Sequence, residues 1–553
     1  MWVKDGRARL GVTALLLAVV GALACNGEAR PPGAKQPSAA LVQTSGLSPA
    51  LRIVAVTDMN GYLEPCGCQS RPLGGVDKAA TVLKQLSADR VPTVLVSAGN
   101  LFFEPAGSMH GAGSAQHDDE AKTEHLWQAE AMADVLKRFG LAAATPGAAD
   151  LRYGAEQLAQ LEARSAAKLL GAGRPSAQLI ERGGMKIGVW GVTDAGVAGE
   201  GSDAVLLESA KRDTAALRAQ GAVVVLGLVN APSRTARRIA GSVEGLDFVL
   251  VAGSEAAATP PERVGKATLL HAGKHGHGLL VVDVFRGSAA SAPLDDVSAW
   301  TARERGRAAK ARADELAARI AEWKKAAGTD PKLLAEQEQR LAQLRADEAA
   351  ASGAKPPSEG TFAARFVELA PEVKDDPELT ALLAEHDKRV NDHNKVALAH
   401  LKPPKVAAGM PEYVGSARCE SCHESEFAWW RGHAHGNAYE TLVKVNKQFS
   451  LKCVSCHVTG YGKAGGSTVT HVEGLIDVGC ESCHGPGSLH VKDRDTDEDK
   501  NVHLEVPEPT CLQCHNEEHS DQFDYAKYKA KLIVPGHGLP LAAAPPQPAE
   551  VPK

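Results

Sequence analysis

Cys419-Glu-Ser-Cys422-His423 begins a stretch of sequence that ends at His515 and repeats one pattern, Cys-x-x-Cys-His. The other copies are Cys453-Val-Ser-Cys456-His457, Cys480-Glu-Ser-Cys483-His484 and Cys511-Leu-Gln-Cys514-His515. Two thiols three positions apart can form thioethers to the two vinyl groups of one porphyrin, and the His that follows then lies under the iron. The repeats therefore predict four covalently bound haem c groups at this end of the chain.

Other kinds of site also use Cys-x-x-Cys pairs, namely zinc ribbons, disulfides and dithiol redox motifs. A zinc site does not need a His directly after every pair, and a disulfide framework has no reason for one either. Haem attachment explains the His as the proximal iron ligand. We therefore expect four proximal ligands: His423, His457, His484 and His515.

The composition is that of a globular protein with several domains. At 553 residues the chain is long enough for roughly two to four domains. Apolar residues make up 44% of it, which allows sizeable cores, although aromatic residues make up only 4%. The formal charge of -6 provides no general basic surface, so we expect no nucleic-acid partner.

The N-terminal residues are typical of an export signal. Three basic residues in the first nine precede an apolar run at 10–23, which is short for a membrane span. The run ends in Ala22-Leu23-Ala24-Cys25, which looks like a lipoprotein processing site with Cys25 as the acylated residue. The alternative is an ordinary signal peptide with an incidental Cys. Because haem c is attached outside the inner membrane, we expect a periplasmic or outer-membrane lipoprotein of a Gram-negative bacterium, held at the membrane by a lipid anchor.

The sequence divides into eight segments by composition and pattern. In chain order they are a signal peptide (1–25), a flexible tether (26–48), an α/β domain (49–296), a helical hairpin insertion (297–358), the end of the α/β domain with a connecting helix (359–402), a linker (403–412), a mostly α tetrahaem cytochrome c domain (413–540) and a disordered tail (541–553).

Residues 50–300 alternate strand-like and helix-like segments. Apolar, β-branched runs predict strands at 51–57, 91–97, 186–192, 222–228, 247–252 and 278–284. Helical patterns between them predict helices at 77–86, 124–139 and 155–162. Such alternation is typical of α/β domains, which place their functional sites in the turns at strand ends.

Polar and glycine-rich pieces occupy these turns. They include Thr57-Asp58-Met59-Asn60-Gly61, Gly74-Gly75-Val76-Asp77, Ser97-Ala98-Gly99-Asn100, Pro146-Gly147-Ala148-Ala149-Asp150 and His271-Ala272-Gly273-Lys274-His275. In this order they resemble the motifs of the bacterial 5'-nucleotidase family of metallophosphoesterases. The resemblance covers about residues 50–290, resumes near 360–400, and implies a four-layer α/β sandwich.

The resemblance also implies a two-metal centre, from which this sequence departs. The positions of the family's metal ligands hold Asp58, Asn60, Asn100, Ala148, Ala149, Asn230, Ser254 and Ala256. Only Asp58 clearly keeps the family's ligand. Two-metal hydrolysis needs both ions held close together by carboxylates and imidazoles, and Ala cannot coordinate. We therefore expect a metal-free form of the phosphoesterase fold without hydrolase activity.

A Cys-Gly-Cys sequence, Cys66 to Cys68, follows the first of these motifs directly. One interpretation is a strained local disulfide or two ordinary thiols, since the ring closed by Cys-x-Cys is tight. The other is a thiolate metal site or a redox-active pair, since exported proteins seldom keep exposed thiols without a use.

Residues 297–350 change character. Apolar positions spaced by three, four and seven form two helical stripes separated by Gly328-Thr329-Asp330-Pro331, which predicts an antiparallel helical hairpin. It is a spacer or a contact between the larger domains. The run at 362–369 is expected to pair with the strand at 278–284, so that the hairpin is inserted within the α/β domain. A helix is expected at 376–401, with polar Asn391 and Asn394.

From Tyr413 onward several pieces match a known pattern. They are the four haem motifs, His435-Gly436-Asn437-Ala438-Tyr439, and Cys480 with the ten residues that follow it to His490. These pieces resemble tetrahaem proteins of the cytochrome c-554 family, which implies small helices wrapped around stacked haems. The resemblance favours His435, His490 and His537 as distal iron ligands, with His471 as a fourth candidate. A second His closes an iron for electron transfer, whereas an open position permits substrate binding.

Three functions follow as hypotheses. The first is a surface-tethered electron carrier that serves a periplasmic or membrane redox protein and uses the α/β domain as a docking or substrate module. The second is an oxidoreductase acting on a nitrogen or sulfur compound, with one open iron or with Cys66 and Cys68 as the reactive pair. The third is a metal-dependent nucleotidase fused to a cytochrome, against which the missing metal ligands count.

Overall fold

The computed structural model describes the α/β and C-terminal regions of the chain. The described residues are 47–65, 71–105, 118–194, 203–253, 258–286, 293–300, part of 314–345, 355–493, 501–516, 520 and 523–539. The predicted signal peptide, nearly all of the tether and the tail lie outside them. So do Cys25, Cys66 and Cys68.

A seven-stranded mixed sheet forms the first half of the α/β region. Its strands are β1 (Leu51–Thr57), β2 (Thr93–Gly99), β3 (Leu141–Pro146), β4 (Lys168–Leu169), β11 (Gly278–Phe285), β12 (Asp295–Asp296) and β13 (Thr361–Glu368). Their order across the sheet is β12-β13-β11-β1-β2-β3-β4. Strands β1 to β4 run parallel, whereas β11 is antiparallel to both β1 and β13.

A six-stranded sheet forms the second half. Its strands are β5 (Ala177–Arg182), β6 (Met185–Thr193), β7 (Val224–Asn230), β8 (Phe248–Ala252), β9 (Thr259–Val264) and β10 (Ala267–His271), in the order β5-β6-β7-β8-β10-β9. Strands β6, β7, β8 and β10 are parallel, and the two edge strands are antiparallel to their neighbours.

The helices cover the outer faces of the two sheets. They are α1 (Val76–Ser87), α2 (Asp118–Phe139), α3 (Gly154–Ser165), α4 (Asp203–Ala219), α5 (Ser233–Ser242) and α6 (Pro377–Ala397). Strand β1 is buried on both faces: Ile53 and Ala55 join the core shared with β7 and β8, while Val54 and Val56 join the core shared with α1 and α2. A third core lies between the second sheet and helices α4 and α5. The region is therefore a four-layer sandwich with the order helices, sheet, sheet, helices, and the predicted fold class is confirmed.

The predicted elements are found with shifted ends. Strand β1 has the predicted bounds, and the strand expected at 91–97 runs from Thr93 to Gly99. Strand β13 pairs with β11 over its whole length, which confirms the pairing predicted for 362–369. The described residues between 314 and 345 include helical turns on both sides of the predicted break, with an ion pair of 2.5 Å between Lys324 and Glu338.

The C-terminal region consists of short helices joined by turns. The helices are α7 (Glu424–Gly432), α8 (Ala438–Lys444), α9 (Val454–His457), α10 (Cys480–His484), α11 (Ser488–Lys492), α12 (Glu508–Leu512) and α13 (Tyr525–Leu532), followed by two short paired strands, β14 (Val534–Pro535) and β15 (Gly538–Leu539). Its apolar core is small and centred on Val454, Val458 and Val469. The part of the chain described above contains no helix long and apolar enough to cross a membrane.

A buried arginine connects the centre of the first sheet to helix α1. Arg52 on β1 is fully buried, donates to Asp283 on β11 at 2.6 Å, and donates to the Leu86 carbonyl at 2.7 Å. It also pairs with Asp89 just after α1. Arg365 on β13 donates to the other oxygen of Asp283 at 2.5 Å. The pairs are buried, so removing one partner leaves an uncompensated charge.

We expect Arg52→Ala to lower the free energy of unfolding by about 3–5 kcal/mol, because Asp283 would remain buried with less compensation. Chemical denaturation followed by circular dichroism measures this change. Arg71→Ala is the matched control, because Arg71 pairs with Glu368 at the exposed surface, and we expect it to cost about 1 kcal/mol or less. Equal losses in the two variants would contradict a structural role for the buried pair.

Candidate haem-binding site and the adjoining domain contact

The four Cys-x-x-Cys-His motifs form single helical turns. The His423 amide donates to the Cys419 carbonyl at 2.9 Å, and the His515 amide donates to the Cys511 carbonyl at 2.8 Å. One turn places positions i, i+3 and i+4 on the same side of the helix. Two thiols and one imidazole of each motif can therefore face the same group. The eight motif cysteines are all at least partly accessible to solvent and none is disulfide-bonded.

Three of the motif histidines each face one of the predicted distal histidines. The ring centroids are 6.4 Å apart for His423 and His490, and 6.2 Å apart for His515 and His435. They are 6.5 Å apart for His484 and His537. The three predicted distal ligands, His435, His490 and His537, therefore each lie near a different proximal ligand.

These spacings fit an iron atom between the two rings. Metal–imidazole bonds are about 2 Å long, so two imidazoles on opposite sides of one iron have ring centroids roughly 6 Å apart. Without an intervening group, imidazoles that touch would be closer, as His433 and His435 are at 4.9 Å. The residues present therefore fit a haem at each of the three pairs.

The ring nitrogens that would not bind iron have oxygen partners. The Nδ1 atoms of His457 and His484 lie 2.6 Å from the carbonyl oxygens of Ala438 and His503, respectively. The Nδ1 atom of His537 lies 2.7 Å from the Leu532 carbonyl oxygen. Donation of Nδ1–H to a carbonyl leaves Nε2 with its lone pair for a metal, as in most metal-binding histidines.

His471, the fourth predicted distal ligand, lies beside two hydroxyl groups. Its Nδ1 is 3.2 Å from Thr470 Oγ1 and 3.4 Å from Thr468 Oγ1. His457, the remaining proximal ligand, is also near Thr441 Oγ1, at 3.5 Å from Nδ1. The assignment of His471 to the iron at His457 stays a prediction.

The motifs lie close to one another. The thiols of Cys419 and Cys480 are near enough to interact, and this interaction lowers the pKa of Cys480 to about 7 and raises that of Cys419. The Cys514 and Cys456 thiols interact similarly, and the charge of Cys511 acts on the pKa of Cys483. The first motif thus adjoins the third, the third the fourth, and the fourth the second.

The polar side chains at the strand ends of the α/β region hold its own loops. Asp58 Oδ2 accepts from the Gly253 amide at 2.9 Å, and Asn100 Oδ1 accepts from the Ala149 amide at 3.0 Å. A Cβ at Gly99 would lie 2.1 Å from Asp58 Oδ1, so glycine is needed there for the aspartate to fit. No group of three or more His, Cys, Asp or Glu in the residues that the structure describes is placed to hold a metal ion.

Asp150 is the last residue of the Pro146–Asp150 turn after β3, and both of its carboxylate oxygens accept hydrogen bonds. Its carboxylate accepts from the amides of Leu101 and Phe102 at 2.9 and 2.8 Å, and from Gly147 at 3.1 Å. Burial raises the pKa of Asp150 to about 6, while these amides oppose the rise. The residue therefore fixes the loops after β2 and β3 to each other.

The C-terminal region contacts the α/β region through a buried carboxylate. Glu124 on α2, which is 5% exposed, accepts from Ser450 Oγ at 2.9 Å and from the Leu451 amide at 3.2 Å. It also accepts from Asn394 Nδ2 on α6 at 2.7 Å. Asn391 Oδ1 accepts from the Phe449 amide at 3.1 Å. The bonds from Phe449, Ser450 and Leu451 all come from the segment directly before Cys453.

Two ion pairs join the same segment to the loops after β1 and β2. Lys447 pairs with Glu64, which follows the β1 loop, and with Asp387 on α6 at 3.3 Å. Lys452 pairs with Glu104, which follows the β2 loop, at 2.6 Å. The second haem motif is thereby held beside the carboxyl ends of β1 and β2, where α/β proteins place their sites.

Sequence reasoning missed most of this contact. Asn391 and Asn394 were the one visible signal, because two amide side chains interrupt the pattern of helix α6, and both are buried. Glu124 and Lys447 had no signal of their own, since their partners lie far away in the chain.

Comparison with known protein families finds a match in the C-terminal region. A family model described as cytochrome c554 and c-prime matches residues 418–485. Cytochrome c-554 of Nitrosomonas europaea is 38% identical over 98 residues, which are 15% of this chain. The match spans 41% of that relative's length. The predicted resemblance of the C-terminal region to this family is confirmed.

Similar solved structures are found for the α/β region. They include a 5'-nucleotidase precursor from Thermus thermophilus (14% identity, 69% of this chain and 67% of that one, TM-score 0.39) and the sulfate thiohydrolase SoxB of the same genus (11% identity, 77% and 73%, TM-score 0.40). A calcineurin-like phosphoesterase from Bacillus subtilis matches with 14% identity, over 42% of this chain and 84% of that one, with a TM-score of 0.33.

We expect Glu124→Ala to loosen the C-terminal region from the α/β region, because it removes the acceptor of three hydrogen bonds. Leaving the Ser450, Leu451 and Asn394 donors unpaired costs about 1–3 kcal/mol each where they stay buried. Limited proteolysis of the linker at 403–412 should become faster. Glu385→Ala on the exposed face of α6 is the control and should leave the rate unchanged; equal cleavage of the two variants would contradict this role for Glu124.

Proposed function

We propose that this chain, whose residues 418–485 match the cytochrome c-554 family, is an exported c-type cytochrome that carries four haems and transfers electrons. The observation that carries the proposal is the set of three histidine pairs with ring centroids 6.2–6.5 Å apart. When bound, haem c supplies reversible one-electron transfer at potentials tuned by its ligands and surroundings.

The protein's own residues would hold the four groups in a row. The thiol pairs of the motifs are Cys419 with Cys422, Cys453 with Cys456, Cys480 with Cys483, and Cys511 with Cys514. Their observed neighbours support the order first, third, fourth, second. Adjacent groups in such a row would lie close enough to exchange electrons from one end of the region to the other.

The α/β region serves in this proposal as a rigid docking or substrate module without hydrolase activity. Its strand-end side chains are used in hydrogen bonds to its own backbone, as for Asp58, Asn100 and Asp150. The chain would reach its redox partner, a periplasmic or membrane protein, while anchored through a lipid on Cys25.

A second candidate function is an oxidoreductase acting on a nitrogen or sulfur compound. The contact of Lys447 and Lys452 with Glu64 and Glu104 favours it, because it places the second motif beside the strand-end loops. A substrate bound at those loops would then lie near the haem attached at Cys453. Cys66 and Cys68 follow Glu64 by two and four positions in the sequence, and Cys66→Ser tests them by its effect on turnover.

We expect His490→Ala to convert one haem of the isolated protein from low spin to high spin, because the iron at His423 would lose its sixth ligand. The electron paramagnetic resonance spectrum of the oxidised protein measures the change, and the pyridine haemochrome counts the haems. His400→Ala is the control, since His400 is exposed and its Nδ1 lies 2.8 Å from the carbonyl oxygen of Ala397, three residues earlier in the chain. An unchanged low-spin signal in His490→Ala, or fewer than four haems in the wild type, would sink the proposal.

We expect no hydrolysis of nucleotides when Mn²⁺ is added, because a two-metal hydrolase needs several carboxylates and imidazoles around both ions. A phosphate-release assay on the purified protein tests this expectation. Mn²⁺-dependent release that disappears in Asp58→Ala would instead establish a metal-dependent nucleotidase.

A further inference from the structure

The contact between the two regions holds more carboxylates than ammonium groups. Its carboxylates are Glu64, Glu104, Glu124 and Asp387, and its ammonium groups are Lys447 and Lys452. A buried carboxylate that is not matched by a cation favours its protonated form.

Two of the carboxylates share one cation. Lys447 Nζ contacts both Glu64 Oε2 and, at 3.3 Å, Asp387 Oδ2. The Asp387 side chain is 16% exposed and that of Lys447 is 21% exposed. The Glu64 side chain is more open to solvent, at 38%. One ammonium balances one carboxylate, so the pair carries one more negative than positive charge, and Asp387 is the member with less water to stabilise it.

Among the residues that the structure describes, the other charged groups around the pair do not supply the missing positive charge. Asp77, on which the charge of Glu64 acts, is itself a carboxylate. Lys452 is paired with Glu104 at 2.6 Å, and Glu124 accepts from neutral donors, so it adds negative charge. Burial lowers the pKa of His386 to about 4, so this imidazole is neutral at pH 7. Arg389 lies over the Trp127 ring, 3.8 Å from its centroid, and its side chain is half exposed.

The pair is also close to the second haem motif. Lys447 and Lys452 lie six residues and one residue before Cys453. Burial raises the pKa of the Cys453 thiol, and the charges of Lys447, Glu124 and Glu64 act on it as well. The same charges therefore act on a group attached at Cys453.

We propose that the Glu64–Asp387 pair is a proton-binding site that takes up one proton from solvent when the haem attached at Cys453 and Cys456 is reduced. An external one-electron reductant supplies the electron, which converts ferric to ferrous iron. The proton forms an O–H bond on a carboxylate oxygen of Asp387, the less exposed member of the pair, and Lys447 remains hydrogen-bonded to Glu64. The inference rests on the proposed function, because it requires a haem at this motif.

The electrostatics of the pair agree with this geometry. Burial raises the pKa of Asp387 to about 7, the charge of Glu64 adds to the rise, and Lys447 opposes it. An electron added nearby is a further negative charge, which raises the pKa of Asp387 again. Between the two pKa values the reduced protein binds one more proton than the oxidised protein, so the midpoint potential falls as the pH rises.

The test is a series of optical redox titrations of the haem-loaded protein from about pH 6 to about pH 9, around the ordinary range of histidine and raised carboxyl groups. In the wild type we expect one haem whose midpoint potential falls by up to about 59 mV per pH unit, the value for one proton per electron. Asp387→Asn should abolish this slope and raise the potential, since one negative charge is lost. Glu64→Gln removes the other member of the pair and should have the same effect.

Asp392→Asn is the matched control, because Asp392 lies on the same helix, is exposed and pairs with Lys388; it should keep the wild-type slope. A slope that persists in both Asp387→Asn and Glu64→Gln would assign the proton to the haem propionates and overturn the inference. So would a wild type with no slope at any haem. The pyridine haemochrome of the same samples separates the two proposals, because a flat potential in a four-haem protein contradicts only this one.

Discussion

The buried carboxylate of Glu124 determines how the two halves of the molecule are arranged. It accepts hydrogen bonds from α6 of the sandwich and from the segment before Cys453, and so fixes three parts of the chain around one acceptor. A carboxylate that leaves water must recover its lost hydration through such bonds. The haem-binding region is therefore held on the sandwich at a definite place, beside the ends of β1 and β2, and the electrostatic setting of the second motif follows from that placement.

The C-terminal region has a small apolar core and is also held together largely by hydrogen bonds. Few apolar side chains cluster there, around Val454, Val458 and Val469. Polar side chains that accept several backbone hydrogen bonds are frequent instead. Glu481, for example, accepts from the amides of Val414, Gly415 and Gly487 at 2.7–2.9 Å. Hydrogen bonds of this kind define loop shapes but bury little apolar surface. Porphyrins between the paired histidines would supply the apolar surface that the sequence does not.

Features that depend on neighbouring residues in the chain could be predicted from the sequence, whereas contacts between distant residues could not. Strand β1 was predicted with its observed bounds because its apolar, β-branched run lies between Pro49, which precedes it, and the polar turn that begins at Asp58. Strand β3 (Leu141–Pro146) was missed, because its three consecutive alanines have no β-branched side chain, and it is a strand through its pairing with β2. The haem motifs were visible because each is contiguous. Glu124 and the Glu64–Asp387 pair were not, since their partners are brought together only by the fold.

The order of assembly follows from the contact around Cys453. Val454 is fully buried, and Ser450 and Leu451 are bonded to Glu124 once the two regions have met. The enzyme that attaches haem must bind the motif while it is unfolded, with both thiols reduced and accessible. Attachment at the second motif therefore has to precede the closure of this contact during maturation. The sandwich lies earlier in the chain and would fold first, and its finished surface would then receive the cofactor-loaded segment as the last step of folding.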